Sequence, residues 1–496
     1  MAAISSNGTG GGDWDIGASW AGAVAPGSGD TVTILNGDTI TQTQAEAATS
    51  VTIDAGGELD NATFNLAISG KLDVSGTLTQ GSSADTGITA GNIEFHTGAS
   101  RDWQEDSKVT CNGDYVEPNS SVSVNNRRGC LTMGGDGNLT KPSITNYLCG
   151  FKIDAGVTVT AIGLICRIND NLCGNVEING TLNTSGSWCT IGCNSSYSFV
   201  IGVNGDFSGG GDLSLDIVHG ATVTNNRATA FSHTGLVGTV GTAKDCDIPA
   251  WDFSNSSEVR VNTYTSGNMT RYFTAGTLKT KLFVIKSTSG RTHTIKADTN
   301  NPSFEHSDNV DFNDGDGTII YVKGTGTRTF NASSGTQTLA GDSQSVEDIT
   351  QNNSGATLQL TENITTDSFT GLAGTFDPNG KTITTGGIFT LGQNIDVNTT
   401  GLAGSTWIVG GNFSVYGSDG DLMTLNAASA WTLTVTGTAT ASYVNAKNSD
   451  ASGGTTIAAT DSTDSGGNNN WDFGAVAGIS AHYGMTLVKP NTLVMT

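Results

Sequence analysis

The chain has 496 residues, with Lys+Arg 22 against Asp+Glu 46, a formal net charge of −24, and 68 glycines but only 7 prolines. Charged residues make up 14% and hydrophobic residues 36%, spread along the chain rather than in blocks, which excludes wholesale disorder. Collagen is excluded because no glycine recurs at every third position, and binding through nucleic-acid phosphates because so few cations serve so long a chain.

The opening Met1–Gly12 shows neither a cationic segment nor an apolar core, so no secretory leader is expected. No window reaches the ~18 apolar residues of a membrane span, so membrane insertion is not expected. Trp14 and Trp20 lie six apart, before a Pro26-Gly-Ser-Gly29 turn and the alternating Asp30-Thr-Val-Thr-Ile34. Gln44-Ala-Glu-Ala-Ala48 is the one short helical candidate. Beyond it, brief alternating runs are separated by Gly, Asn or Asp: Val51–Ile53, Lys71–Val74, Val157–Val159, Leu213–Ile217, Thr357–Leu360 and Trp431–Val435. Alternation over three to five residues is the pattern of a strand with one buried face, and the separators tolerate positive φ or close Asx turns.

Internal repeats select the architecture. Ile53-Asp-Ala-Gly56 returns as Ile153-Asp-Ala-Gly156, and Gly70-Lys-Leu-Asp-Val-Ser-Gly-Thr-Leu78 returns as Gly174-Asn-Val-Glu-Ile-Asn-Gly-Thr-Leu182. At shorter range Ile178–Leu182 is echoed by Val203–Phe207, Gly386–Leu391 by Gly410–Val415, and Gly371-Leu-Ala-Gly374 by Gly401-Leu-Ala-Gly404. Head-to-tail repeats of 24 to 30 residues, made of strands this short, point away from a hairpin-built sandwich. They predict an all-β, right-handed parallel β-helix (a β-solenoid) with an N-terminal cap and a short C-terminal tail. Each coil buries its inward side chains only against the next, and some 17 coils at ~4.8 Å would make a rod of roughly 80 Å. The organisation expected is a cap or docking segment over 1–48, then solenoid parts over 49–250, 251–345 (irregular) and 346–473. A tail over 474–496 closes the chain, with Met485, Leu487, Val488, Leu493, Val494 and Met495 free to pack on another chain.

A solenoid has two open ends that polymerise unless covered. Trp14 and Trp20 either cover the first coil or offer a docking surface; Gly466-Gly-Asn-Asn-Asn-Trp-Asp-Phe473 closes the last coil. The eight cysteines, Cys111, Cys130, Cys149, Cys166, Cys173, Cys189, Cys193 and Cys246, form no Cys-x-x-Cys and have no histidine at finger spacing. Gaps of 19, 19 and 17 from Cys111 to Cys166 come close to one coil, so the expectation is buried free thiols stacked in the core, with inter-coil disulfides as the alternative.

Candidate chemistry is sparse. Glu94, Asp102, Glu105 and Asp106 around Trp103 join acids to an aromatic platform, the pattern of a carbohydrate site, or else form a solvated loop. His219 in Val-His-Gly stands alone at a turn, where a structural role is expected. Asp308, Asp311, Asp314 and Asp316 could gather oxygen ligands for calcium, but Asp314 occupies the EF-hand glycine position and no Glu follows. Gly209-Gly-Gly-Asp-Leu-Ser-Leu215 is a single echo of a calcium β-roll. Asn61-Ala-Thr63 and Asn138-Leu-Thr140 match the glycosylation pattern by composition, and Arg127-Arg128 is too short a basic patch for nucleic acid. Adjacent aspartates and an Arg-x-Lys element of the pectin-hydrolase kind are missing. No catalytic residue, metal ligand or cofactor is assigned.

The block Gly11-Gly-Asp-Trp14 … Ala18-Ser-Trp20 … Pro26–Ile34 resembles the opening module of bacteriophage virion proteins and bacterial surface β-helix proteins. Trp431–Gly437 … Asp461–Gly467 … Trp471-Asp-Phe473 is similar to the coil-closing segment of the same broad group. The resemblance implies a rigid scaffold: a capsid decoration, spike or tail-fibre subunit, assembled in the host cytoplasm and carried on the virion. Its expected partners are other capsid or tail proteins, copies of itself up to a homotrimer, and a host-surface glycan. A surface or filament adhesin, extracellular or on the cell surface, and a polysaccharide depolymerase are the alternatives. The group is defined by architecture and carries no catalytic residue over.

Overall fold

The computed structural model describes residues 1–83, 86–104, 106–118, 122–127, 129–141, 150–164, 174–184, 189–240, 245–262, 268–312 and 315–474. Cys149, Cys166, Cys173, Glu105, Arg128, Asp314 and the 475–496 tail lie outside these residues.

Alternation sets the path. In Thr31–Ile34 and Ser50–Ile53 the β-branched and apolar residues at every second position are buried, and the threonines and serines between them are half-exposed. A strand with one dry face cannot stand alone, and here its neighbour is the next winding of the same chain. Val32 pairs in parallel with Val51, Val51 with Leu72, Leu72 with Ile93, Ile93 with Tyr115, Tyr115 with Leu139, and Leu139 with Ala161. All seven side chains are buried and form one column. A second column runs through Thr39–Thr41, Glu58–Asp60, Thr77–Gln80 and Ser100–Trp103. A third runs through Lys108–Cys111, Cys130–Met133, Gly150–Ile153, Val176–Ile178 and Ser198–Ile201. The fold is the expected all-β parallel solenoid, with its core inside the coil.

Towards the C-terminus the column becomes aromatic. Ile349, Phe369, Phe389, Phe413 and Ala439 are successive register partners. Phe389 stacks on Phe369 at 5.1 Å and on Phe413 at 5.8 Å, with interplanar angles of 14° and 17°. Offset stacks of this kind add about 0.5–1.5 kcal/mol per pair beyond area burial.

Corners need their own backbone partners, and the Asn/Asp-rich composition supplies them. Asn92 Oδ1 accepts the Asp114 N–H at 2.8 Å, and Asp114 Oδ1 accepts the Asn138 N–H at 2.8 Å. Asn175 serves Ser198, Asn268 serves Thr292, and Asn412 serves Thr438 in the same way, each one coil on. At Gly76, Gly180 and Gly205 the coils approach so closely that a Cβ would stand 2.1–2.2 Å from a carbonyl oxygen of the preceding coil. The recurring Ser/Asn-Gly of the sequence repeats is therefore a close-approach requirement.

Both tryptophans of the opening block are buried and meet edge to face at 5.3 Å, with Trp20 Nε1 donating to Trp14 O at 2.7 Å. Buried in the core, the two rings are not themselves an exposed docking surface. At the other end Trp471 and Phe473 stack at 5.6 Å against the last coil, partly exposed.

Four sequence readings change. Gln44–Ala48 is not helical: Glu46–Ala48 is a strand paired with Leu66–Ile68, because five residues cannot offset the cost of nucleating a helix when a neighbouring coil offers backbone partners. The 19-residue cysteine gap is not a coil, since Cys111 pairs with Met133 and Cys130 with Gly150. The thiols at 111 and 130 therefore do not stack. Gly371 and Gly401 are not equivalent either; Gly371 pairs with Leu391, while Gly401 lies in the short helix Thr399–Leu402. Finally, some strands are long. Asp348–Leu360 spans 13 residues because it crosses a corner, its two halves pairing with Thr327–Phe330 and Gly335–Ala340.

Candidate functional site

Polar residues gather in three kinds of place, and their surroundings separate structural from ligand-facing groups. The first is inside the coil. Arg101 and Trp103 both point inward because they sit two apart on one strand, leaving Asp102 outward. The Arg101 guanidinium packs 4.8 Å over the Trp103 ring and pairs with buried Glu117 at 2.9 Å, while Tyr115 Oη donates to Glu117 at 2.5 Å. Trp103 is thus core and, among the described residues, offers no aromatic platform beside Glu94, Asp102 and Asp106. Glu94 bonds elsewhere, and Asp106 sits in an exposed turn with φ 61°.

The same Arg–Glu–Tyr combination recurs further along. Arg328 donates to Glu347 through Nη2 at 2.8 Å and Nε at 3.2 Å, and Tyr321 Oη donates to the other carboxylate oxygen at 2.5 Å. Arg328 Nη1 also donates to His306 Nε2 at 2.7 Å, and the guanidinium lies 4.0 Å over Phe304. Arg328, Glu347 and His306 are fully buried. Burial and the adjacent Arg328 charge push the His306 imidazole well below its ordinary pKa, which keeps it neutral and able to accept. These are structural locks, closed to solvent.

The second place is an outward salt-bridge cluster. Lys71 Nζ reaches Asp73 at 2.8 Å and Glu94 at 2.5 Å, and His96 Nε2 lies 2.5 Å from Asp73. Hydrogen bonds from Lys71 and His96 hold the Asp73 carboxyl below its usual range against the opposing effect of burial. Its charges satisfy one another.

The third centres on His219. Its Nδ1 lies 2.8 Å from Asp247 Oδ1, and its ring stacks on Tyr272 with centroids 3.7 Å apart and planes at 14°. Lys296 Nζ stands 5.7 Å from the Tyr272 centroid. Burial raises the Asp247 carboxyl above its ordinary range, partly offset by His219 and by the Gly220 N–H. His219 is thus not alone, although Asp247, Tyr272 and Lys296 carry no linear motif. The signal is the coil period: Asp247, Tyr272 and Lys296 are successive register partners.

Among the described cysteines Cys111, Cys130 and Cys189 carry free thiols, and Cys111, Cys189, Cys193 and Cys246 are buried. Burial pushes the Cys111 and Cys130 thiols up to about 11 and those of Cys189 and Cys246 up to about 12. Such thiols are poor nucleophiles. Asp308 and Asp316 are exposed, Asp311 is half-buried, and among the described residues no three His, Cys, Asp or Glu side chains gather as a metal group. Asn61 is buried, donating to Gln80 and to Phe64 O, so its glycosylation pattern is fortuitous.

No family model matches the chain, and no curated protein or solved structure shows significant similarity to it. What its architecture suits is a rigid structural or attachment role.

Proposed function

We propose that the chain is a structural virion protein, a capsid decoration, spike or tail-fibre subunit acting as a rigid β-helical scaffold. The observation that carries this reading is the column of side chains shared by successive coils, which resists bending as no chain of separate domains would. Two further features favour a virion: the resemblance of the Gly11–Ile34 and Trp431–Phe473 blocks to virion β-helix proteins, and the free buried thiols of Cys111 and Cys189, suited to assembly in a reducing cytoplasm. Its partners are other capsid or tail proteins and further copies of itself, up to a homotrimer.

An antibody raised against residues 346–473 tests the proposal on particles purified from the source culture. Labelling of the particles in negative stain, together with a trimer by native mass measurement, supports it. Signal confined to the cell envelope, or a secreted monomer absent from particles, overturns it in favour of a surface protein.

A further inference from the structure

The His219 cluster sits where the parallel pairing reverses. Leu213–Val218 meets Cys246–Ile248 antiparallel, through Ile217 with Asp247 and Val218 with Cys246. The reversal sets His219, in the turn just past the strand, beside Asp247, and the His219 N–H anchors the turn on Asp245 O at 2.9 Å. Asp247 is only 6% exposed. As a carboxylate it only accepts, so the hydrogen of this contact sits on His219 Nδ1, and Nε2 is the ring nitrogen left for an outside partner.

The Tyr272 ring is engaged within the protein, because His219 lies flat on it and the Lys296 ammonium approaches it. Tyr272 therefore does not serve as an open stacking platform for a sugar ring. What is left for an outside partner is a row of polar ends: a ring nitrogen at His219 Nε2, a hydroxyl at Tyr272, and a cation at Lys296. Neither Nε2 nor the Tyr272 hydroxyl has a hydrogen-bond partner among the described residues, and Lys296 has only Asp298 at 3.8 Å. In the Lys71 cluster, by contrast, every charge is met at 2.8 Å or less.

Tyr272 and Lys296 stand one coil apart, about 4.8 Å, so the row addresses a ligand extended along the solenoid axis. A neutral chain would cover the Lys296 ammonium with only the Asp298 carboxylate, 3.8 Å away, as counter-charge, which is costly. We infer that this row binds a carboxylated polysaccharide, with a carboxylate on Lys296 and sugar hydroxyls on His219 Nε2 and the Tyr272 hydroxyl. Such binding does not depend on the chain being carried by a virion.

Titration calorimetry of the full chain with polygalacturonate oligosaccharides, dextran and dextran sulfate is the test. The expected result is saturable binding of polygalacturonate, at least tenfold weaker for His219→Ala and for Lys296→Ala and unchanged for Lys71→Ala. Lys296 is a surface side chain, so Lys296→Ala keeps its melting temperature and reads binding alone. Absence of polygalacturonate binding, equal binding of dextran or dextran sulfate, or full binding by Lys296→Ala would each overturn the inference.

Discussion

Glu347→Ala is the most severe single change the interior predicts. Its carboxylate accepts from Arg328 Nη2 and Nε, from the Tyr321 hydroxyl and from the Gly324 N–H, all without solvent contact. Removing it leaves a guanidinium at 0% exposure without a counter-charge, and breaking a buried pair from one side costs about 3–5 kcal/mol. The rings of Phe283, Phe304 and Phe312 face the guanidinium and offset part of that cost, but none of them replaces the lost counter-charge. Arg328→Met combined with Glu347→Leu should recover most of the loss, because apolar replacement of both partners is often neutral. A solenoid unfolds in sections, so the assay is native-state hydrogen exchange read over Thr277–Leu360 alongside urea unfolding. Protection over those coils should fall for Glu347→Ala and return in the double variant. A Glu347→Ala chain within ~0.5 kcal/mol of wild type would refute the argument, since that is the range of ordinary surface substitutions. A double variant as damaged as the single one would refute it too.

Three further outcomes follow from the same packing. Gly180→Ala places a methyl 2.2 Å from Val157 O and should lower the urea midpoint, whereas Ala substitution at Gly8, with no neighbour within 4 Å, should act only through its φ of 72° and cost far less. Buried neutral His306 makes the unfolded chain the stronger proton binder below about pH 6.5, so stability should fall as pH drops through that value. Urea midpoints at pH 7 and 5 check this, and a His306→Gln chain should show a shallower fall. At the alkaline end the thiols pushed up to about 11 and 12 stay protonated when folded but ionise near 8.5–9 when unfolded, so stability should fall from pH 9 upward. Fast native labelling of Cys189 by a thiol reagent at pH 8 would contradict its burial.

Local alternation and turn chemistry were readable in the chain because they are local properties. Short runs such as Val51–Ile53 bury every second residue whichever coil they meet, and Asn, Asp and Gly mark corners through their own side chains and φ preferences. Head-to-tail repeats then required parallel stacking, and Phe389 with Phe413 fell at the expected offset. Register was another matter. Coil length is uneven, with 14 residues between Ile457 and Trp471, 19 between Val32 and Val51 and 29 between Val310 and Leu339, so equal spacing in sequence does not mean equal height in the stack. That is why the cysteine spacing and the Gly401 echo misled, and why Trp103 looked available when its position two residues from Arg101 turned both inward. The meeting of His219 with Asp247, Tyr272 and Lys296 was likewise decided by tertiary structure. Side chains far apart in sequence become neighbours only once the number of residues per coil is set, and that number is chosen by how each winding packs on the one before it.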